Sequence, residues 1–157
     1  VESLGGKFLM VEGSENLETE GGYAKETSED FKKKQEDLLS ETLKKIDIVI
    51  CTALIPGKKA PVIIKEEMIN NMSPGSVIYD LAAIQGGNTA LTKVDEVVEK
   101  NGIKIMGESN ILNKLPTSAS NLYAKNVFNF VINLYDKENK KININLEDEI
   151  IEKTLIK

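Results

Sequence analysis

Histidine is absent from this chain of 157 residues, and with it goes the commonest acid–base group near neutral pH and the commonest metal ligand. One cysteine, Cys51, excludes a disulfide within the chain and fits a reducing compartment. A zinc site would have to combine that single thiolate with carboxylates, a poor donor set, so no metal site is expected. Tryptophan is missing and aromatic residues make up 5%, which argues against a base-stacking platform. Lys+Arg number 20 against 25 Asp+Glu, a net charge of −5, so there is no basic excess to hold nucleic acid or anionic lipid. No apolar run approaches the ~20 residues of a membrane span. The first residues, Val1 to Gly6, do not read as a signal peptide, and the missing initiator Met fits a fragment or a processed chain. Finally, no Gly-x-Gly-x-x-Gly follows a strand anywhere, so the sequence offers no helix N-terminus built to cradle a pyrophosphate.

What remains is ordinary for a globular protein: 41% hydrophobic and 29% charged residues, enough for a core. Lys7 to Val11 reads as a short strand. Glu12 to Lys25 is polar and acidic and reads as a long mobile loop. A helix is predicted from Ser28 as N-cap, with Phe31, Gln35, Leu38, Leu39, Thr42 and Ile46 near one face. Asp47–Cys51, Ser76–Leu81 and Ile103–Gly107 are near-continuous apolar runs, the pattern of parallel strands buried on both faces. Pro61 is expected to open a helix through about Met72, closed by Ser73-Pro74-Gly75. Residues after Asn88 read as a linking stretch up to the Asn101-Gly102 turn. Thr117 or Ser118 is expected to cap a long helix to about Tyr135, with Leu122, Tyr123, Val127, Phe130, Val131 and Leu134 on its apolar face. Asp136 to Lys141 is a charged turn, and the tail beyond it matches no pattern.

Strands alternating with helices give an α/β chain with a parallel sheet. Ligands bind at the carboxyl ends of such strands, which selects Thr52–Gly57, Ala82–Asn88 and Gly107–Pro116 as the loops of interest. Within them, Asp80 is expected to bond turn amides, Gly86 and Gly87 to form a turn, and Cys51 to be a small buried hydrophobe. Gln85 and Asn88 could reach a ligand, but no role follows from the sequence.

Four blocks resemble the NAD(H)-binding domain of proton-translocating NAD(P) transhydrogenases. Gly21-Gly22-Tyr23-Ala24-Lys25 is similar to that family's mobile loop, and Thr52 to Pro61 to its strand-end loop. Gly75 to Ala83 with Gly86-Gly87-Asn88 matches the next strand and loop. Leu115 to Tyr123 resembles the start of the helix that leads back to the first domain. The blocks occur in the family's order between Val1 and about Leu134.

The resemblance implies a partial Rossmann-like parallel sheet, with a long helix returning toward an absent first domain. Residues 1–117 would be the later portion of the NAD(H)-binding domain, with the mobile loop at 12–25. Residues 118–157 would be the return helix and a C-terminal segment of the companion domain. It implies hydride transfer between NAD(H) and NADP(H), the latter on a separate domain, coupled to proton movement through a membrane domain. The complete subunit would be a homodimer on the soluble side of the membrane, facing the bacterial cytoplasm or an equivalent organelle interior. The chain alone would be inactive. The cofactor-contacting residues carried over are Gly22, Tyr23, Thr52, Ala53 and Leu54. No catalytic side chain is implied, because transfer between two nicotinamides needs alignment and exclusion of water.

Two alternatives stand beside this. Alanine dehydrogenase shares the architecture, with an Asp-x-Ala-x-Asp-Gln-Gly-Gly segment whose second Asp belongs to its catalytic apparatus. Here the matching residue is Ile84, which cannot act as acid or base. The other is a truncated, non-catalytic interaction module.

Overall fold

The computed structural model describes residues 2–11 and 29–156. The chain divides into two compact units, Val1–Ser109 and Asn110–Lys157. This division falls before the expected boundary at 117/118, so the long helix lies whole within the second unit.

In the first unit, helix α1 (Glu29–Leu43) opens with Glu29 and Asp30 at its N-terminus, where carboxylates oppose the helix dipole. The expected cap, Ser28, and the Gly-Gly-Tyr-Ala-Lys loop lie outside the described residues. Three parallel strands follow: β1 (Ile48–Cys51), β2 (Val77–Asp80) and β4 (Ile103–Gly107). The sheet order is β1-β2-β4-β3.

Strand β3 (Val97–Lys100) corrects the reading of residues 89–100 as a link. It pairs antiparallel with β4, Val97 opposite Met106 and Lys100 opposite Ile103. Asn101 and Gly102 both adopt positive φ (52° and 78°), the conformation of a two-residue hairpin turn that matches strand twist. The β-branched pair Val97-Val98 before Asn-Gly was the legible signal.

Two other expectations fail. Lys7–Val11 pairs with no strand among the described residues, and Phe8, Leu9 and Met10 are exposed. The helix expected from Pro61 shrinks to α2 (Glu66–Asn70). Its first stretch is extended instead: the amides of Ile63 and Ile64 both donate to the Asn88 carbonyl, at 2.8 and 2.9 Å, and Ile64 bridges Thr89. The β-branched run Val62-Ile63-Ile64 suits that extended path.

The core lies between α1, α2 and one face of the sheet. It holds Leu43, Cys51, Ile64, Met68, Ile69, Met72, Ile78, Ile103 and Ile105. The strands therefore alternate: Ile78 and Asp80 of β2, and Ile103, Ile105 and Gly107 of β4, are buried, while their neighbours are not. Burial on both faces is not what the unit shows. On β1, Ile48 and Ile50 are 69% and 65% exposed, because the core helices pack on the opposite face.

The second unit contains α3 (Ile111–Lys114), α4 (Pro116–Asn133), a β5–β6 hairpin (Tyr135–Asp136 with Lys141–Ile142) and α5 (Glu149–Thr154). Helix α4 starts at Pro116 and has no side-chain cap, so neither Thr117 nor Ser118 serves as one. A proline fits that first helical position, where its missing N–H is not needed. Of the expected apolar face, Leu122, Tyr123, Val127 and Val131 are exposed, and Phe130 and Leu134 are half-buried. Asp148 caps α5, accepting from the amides of Ile150 and Ile151 at 2.9 and 3.1 Å.

Candidate functional site

The carboxyl ends of β1, β2 and β4 lie side by side in register: Cys51 opposite Asp80, and Asp80 opposite Gly107. The ladder runs one step further, with the Leu81 amide donating to Cys51 O and the Glu108 amide to Asp80 O, both at 3.0 Å. Beyond it, three loops leave the sheet edge, and side chains from the second hold the first.

Asp80 is fully buried, as the last core-facing residue of β2. Its carboxylate accepts from the amides of Ala82 (2.9 Å) and Asn88 (2.7 Å) and from the Thr92 hydroxyl (2.6 Å). Three donors account for the tolerance of a buried carboxylate here. They also make Asp80 the hub of the loop, as the sequence suggested, rather than a group facing a substrate. Thr92 and Thr89 share a further hydroxyl bond of 2.7 Å.

Gly86 and Gly87 have φ of 103° and 82°, open to glycine and strained for other residues. A Cβ on Gly87 would stand 2.5 Å from Thr92 Cβ, and one on Gly86 3.0 Å from Lys59 Cε. The space that these glycines leave is filled by protein side chains. The pair therefore shapes a turn and does not form a phosphate cradle.

Asn88, also fully buried, carries the link between loops. Its Oδ1 accepts from the Ala53 amide, and its Nδ2 donates to the carbonyls of Ala53 and Pro61, each at 2.9 Å. Gln85 adds to this: the Ala60 amide donates to its carbonyl at 2.8 Å. With its side-chain nitrogen turned inward, Gln85 also donates to Lys58 O (3.0 Å) and Ile55 O (3.1 Å). No buried side-chain nitrogen or oxygen among the described residues lacks a partner, so the edge is built before any ligand arrives.

Of the residues singled out from sequence, Thr52, Ala53 and Leu54 come together on this tied loop. Thr52 is exposed, Ala53 half-buried, and Leu54 45% exposed. Gly22 and Tyr23 lie outside the described residues. Cys51, at the end of β1, is buried and free; burial, with the Asp80 carboxylate nearby, pushes its thiol up to about 12, as suits a small apolar residue. Tyr79 donates to Glu108 at 2.9 Å, fastening the start of the third loop. Ile84 is exposed on the turn after β2 and gives that position no acid or base. Among the described residues no three His, Cys, Asp or Glu side chains gather as a metal site, and no helix is long and apolar enough to cross a membrane.

The chemistry available is accordingly that of a wall: an exposed hydroxyl, a small residue and one apolar side chain on a rigid backbone at the sheet edge. These fit the base or ribose side of a nucleotide. They do not include a pyrophosphate cradle. Asn88, whose role the sequence left blank, is what orders the wall; only its place one residue after a Gly-Gly turn hinted at that.

The protein-family model described as alanine dehydrogenase/PNT, C-terminal domain, matches residues 1–157. The chain is similar to an NAD(P) transhydrogenase subunit alpha of Rhodospirillum rubrum, 49% identical over 158 aligned residues, covering 99% of this chain and 41% of that protein. The crystal structure of transhydrogenase from Sinorhizobium meliloti matches 96% of this chain and 38% of its own, with a TM-score of 0.68 and 37% identity. Alanine dehydrogenase of Lysinibacillus sphaericus is 32% identical over 108 residues, 66% of this chain and 29% of that protein. The chain thus spans about two-fifths of the length of these two transhydrogenase relatives.

Proposed function

The chain belongs to the alanine dehydrogenase/PNT C-terminal domain family, and on that premise we propose that it forms one wall of the NAD(H) site of a proton-translocating NAD(P) transhydrogenase. The observation that carries this reading is the loop Thr52–Leu54, tied to Asn88 at the carboxyl edge of the parallel sheet with Thr52 and Leu54 exposed. When bound, the nucleotide supplies the nicotinamide between whose reduced and oxidised forms a hydride is exchanged. The chain's own residues hold and orient it. Leu54 lends an apolar surface, Ala53 lets the backbone come close, and Thr52 offers a hydroxyl. Gly22 and Tyr23, on the loop outside the described residues, close over the site as a lid. No residue of the site moves a proton, which suits transfer between two nicotinamides.

The transhydrogenase reading is favoured over alanine dehydrogenase by Ile84, an aliphatic residue where that enzyme's motif carries a functional Asp, and by similarity that runs along the whole chain. The rest of the proposal follows the family. NADP(H) is held on a separate domain, and a membrane domain couples transfer to proton movement. The subunit is a homodimer on the soluble side, and α4 with the segment after it belongs to the companion domain.

The test is titration of the full-length protein with NADH and NADPH, followed by nucleotide fluorescence. NADH should bind in preference, and Leu54→Ala should weaken it roughly tenfold, as removal of one well-packed apolar contact would. Equal affinity for both nucleotides, or none for NADH, overturns the assignment and leaves an interaction module.

A further inference from the structure

We infer that Asn88 is a positioning residue: its buried carboxamide stands in for a missing strand partner and holds the loop Thr52–Leu54 in the extended form that the nucleotide meets. This deepens the proposed function and rests on it. Asn88 touches no cofactor in this assignment; it acts through Ala53.

The geometry is that of a ladder continued by a side chain. The last backbone bond between β1 and β2 is Leu81 N–H to Cys51 O. There the β2 chain turns away into the 3-10 turn Ala83–Gln85, and Ala53 would be left with both backbone groups unmet. Asn88 supplies both: its Oδ1 accepts from Ala53 N–H and its Nδ2 donates to Ala53 O. A neighbouring strand offers the same pair of groups. The alternation of the loop follows from this support, with Thr52 and Leu54 outward and Ala53 turned in.

Asn88 is itself fixed from three sides. Its amide donates to Asp80, its carbonyl accepts from Ile63 and Ile64, and its Nδ2 also reaches Pro61 O. The carboxamide has no room to swing, and its amide orientation is set by the one carbonyl-facing and one amide-facing side it meets. No other side chain of this length has a donor and an acceptor. Aspartate keeps the acceptor and loses the donors, placing a carboxylate against two carbonyls; serine is too short to span both groups.

The experiment compares four forms of the full-length protein: wild type, Asn88→Asp, Leu54→Ala and Met72→Ala. The last loosens the core under the sheet without touching the edge loops. For each, the Kd for NADH, KM and kcat are read well below its own melting temperature. Asn88→Asp should raise Kd and KM for NADH roughly tenfold, with kcat at saturating NADH within about twofold. Met72→Ala, at a similar loss of Tm, should leave Kd within about twofold. If Asn88→Asp does not fold, Asn88→Ser takes its place, since its smaller side chain leaves space for a water.

If Leu54→Ala weakens NADH and the Asn88 variant lowers only Tm, the positioning role is overturned while the cofactor wall stands. The same holds if Met72→Ala weakens NADH as much as the Asn88 variant does, because the loss then reflects stability. If neither Leu54→Ala nor the Asn88 variant alters NADH binding, the wall itself is wrong and the inference falls with it.

Discussion

The two units of this chain have comparable apolar sequence and very different interiors. In Val1–Ser109, apolar residues from α1, α2 and three parallel strands meet in one cluster, and Ile69, Ile78, Ile103 and Ile105 are fully buried. In Asn110–Lys157, Ile151 is the one buried apolar residue among those described, and Leu122, Tyr123, Val127, Phe128 and Val131 of α4 are exposed. Hydrophobic residues at helical spacing are thus a necessary condition for a core, and not a sufficient one. A sheet face gives a helix something to cover, whereas a helix followed by a two-residue hairpin and a short helix does not.

The sharpest test of that contrast is a pair of truncations. Ile105→Ala should cost about 2–5 kcal/mol of stability in urea unfolding, because it opens a cavity in a packed cluster. Leu122→Ala should change stability by no more than about 0.5 kcal/mol. A loss at Leu122 as large as at Ile105 would mean that α4 is covered in solution, and the contrast between the units would disappear.

Next in size is Gly107→Ala. Gly107 ends β4, and a Cβ there would collide with the Lys93 carbonyl oxygen and approach Ala83 Cβ at 3.2 Å. The Lys93 backbone would have to move, at a cost of about 1–3 kcal/mol. A neutral result by thermal melting would show that the linking stretch before β3 is looser than the first unit's packing implies.

A smaller effect is expected in the second unit, where local capping matters more than burial. Asp148→Ala removes the acceptor for two amides at the start of α5 and should cost about 1 kcal/mol. Hydrogen exchange at Ile150 and Ile151 reads this directly. Unchanged protection there would place α5's stability outside its cap.

The mildest prediction concerns Cys51. Its thiol is pushed up to about 12 in the folded protein, against an ordinary 9.0. The folded state keeps the proton while the unfolded chain releases it, so this contribution to stability is intact below pH 9 and is lost as pH rises from 9 toward 12. Cys51→Ala should flatten the alkaline limb of a stability–pH curve. At about pH 8 the native thiol should be inert to a disulfide reagent and should react on unfolding. Rapid native labelling would show that the sheet edge opens.

Much of the fold could be read in advance because its signals are local. The apolar runs at Asp47–Cys51, Ser76–Leu81 and Ile103–Gly107 became β1, β2 and β4, and the four blocks of resemblance indicated the family that the comparisons bear out. Asp80 was legible as a turn-binding carboxylate because an aspartate at a strand end before a Gly-Gly turn has amides within reach. The errors arose where a distant partner decided. Pro61 followed by polar residues looks like a helix start, yet the amides of Ile63 and Ile64 go to Asn88. Val97-Val98 looks like a link until its hairpin with β4 is seen.

By itself, the sequence determined which three segments are the parallel strands, that no histidine chemistry is on offer, and that the glycine-rich phosphate cradle is missing. Periodicity, residue chemistry and absence are properties of the chain taken alone. Only the tertiary structure decided that the sheet is covered on one face and that β3 runs antiparallel. It also decided that Asn88 rather than a strand completes the ladder at Ala53. Each of those depends on groups 9 to 35 residues apart in sequence meeting through hydrogen bonds and burial, and no local pattern encodes which of several possible partners a backbone amide finds.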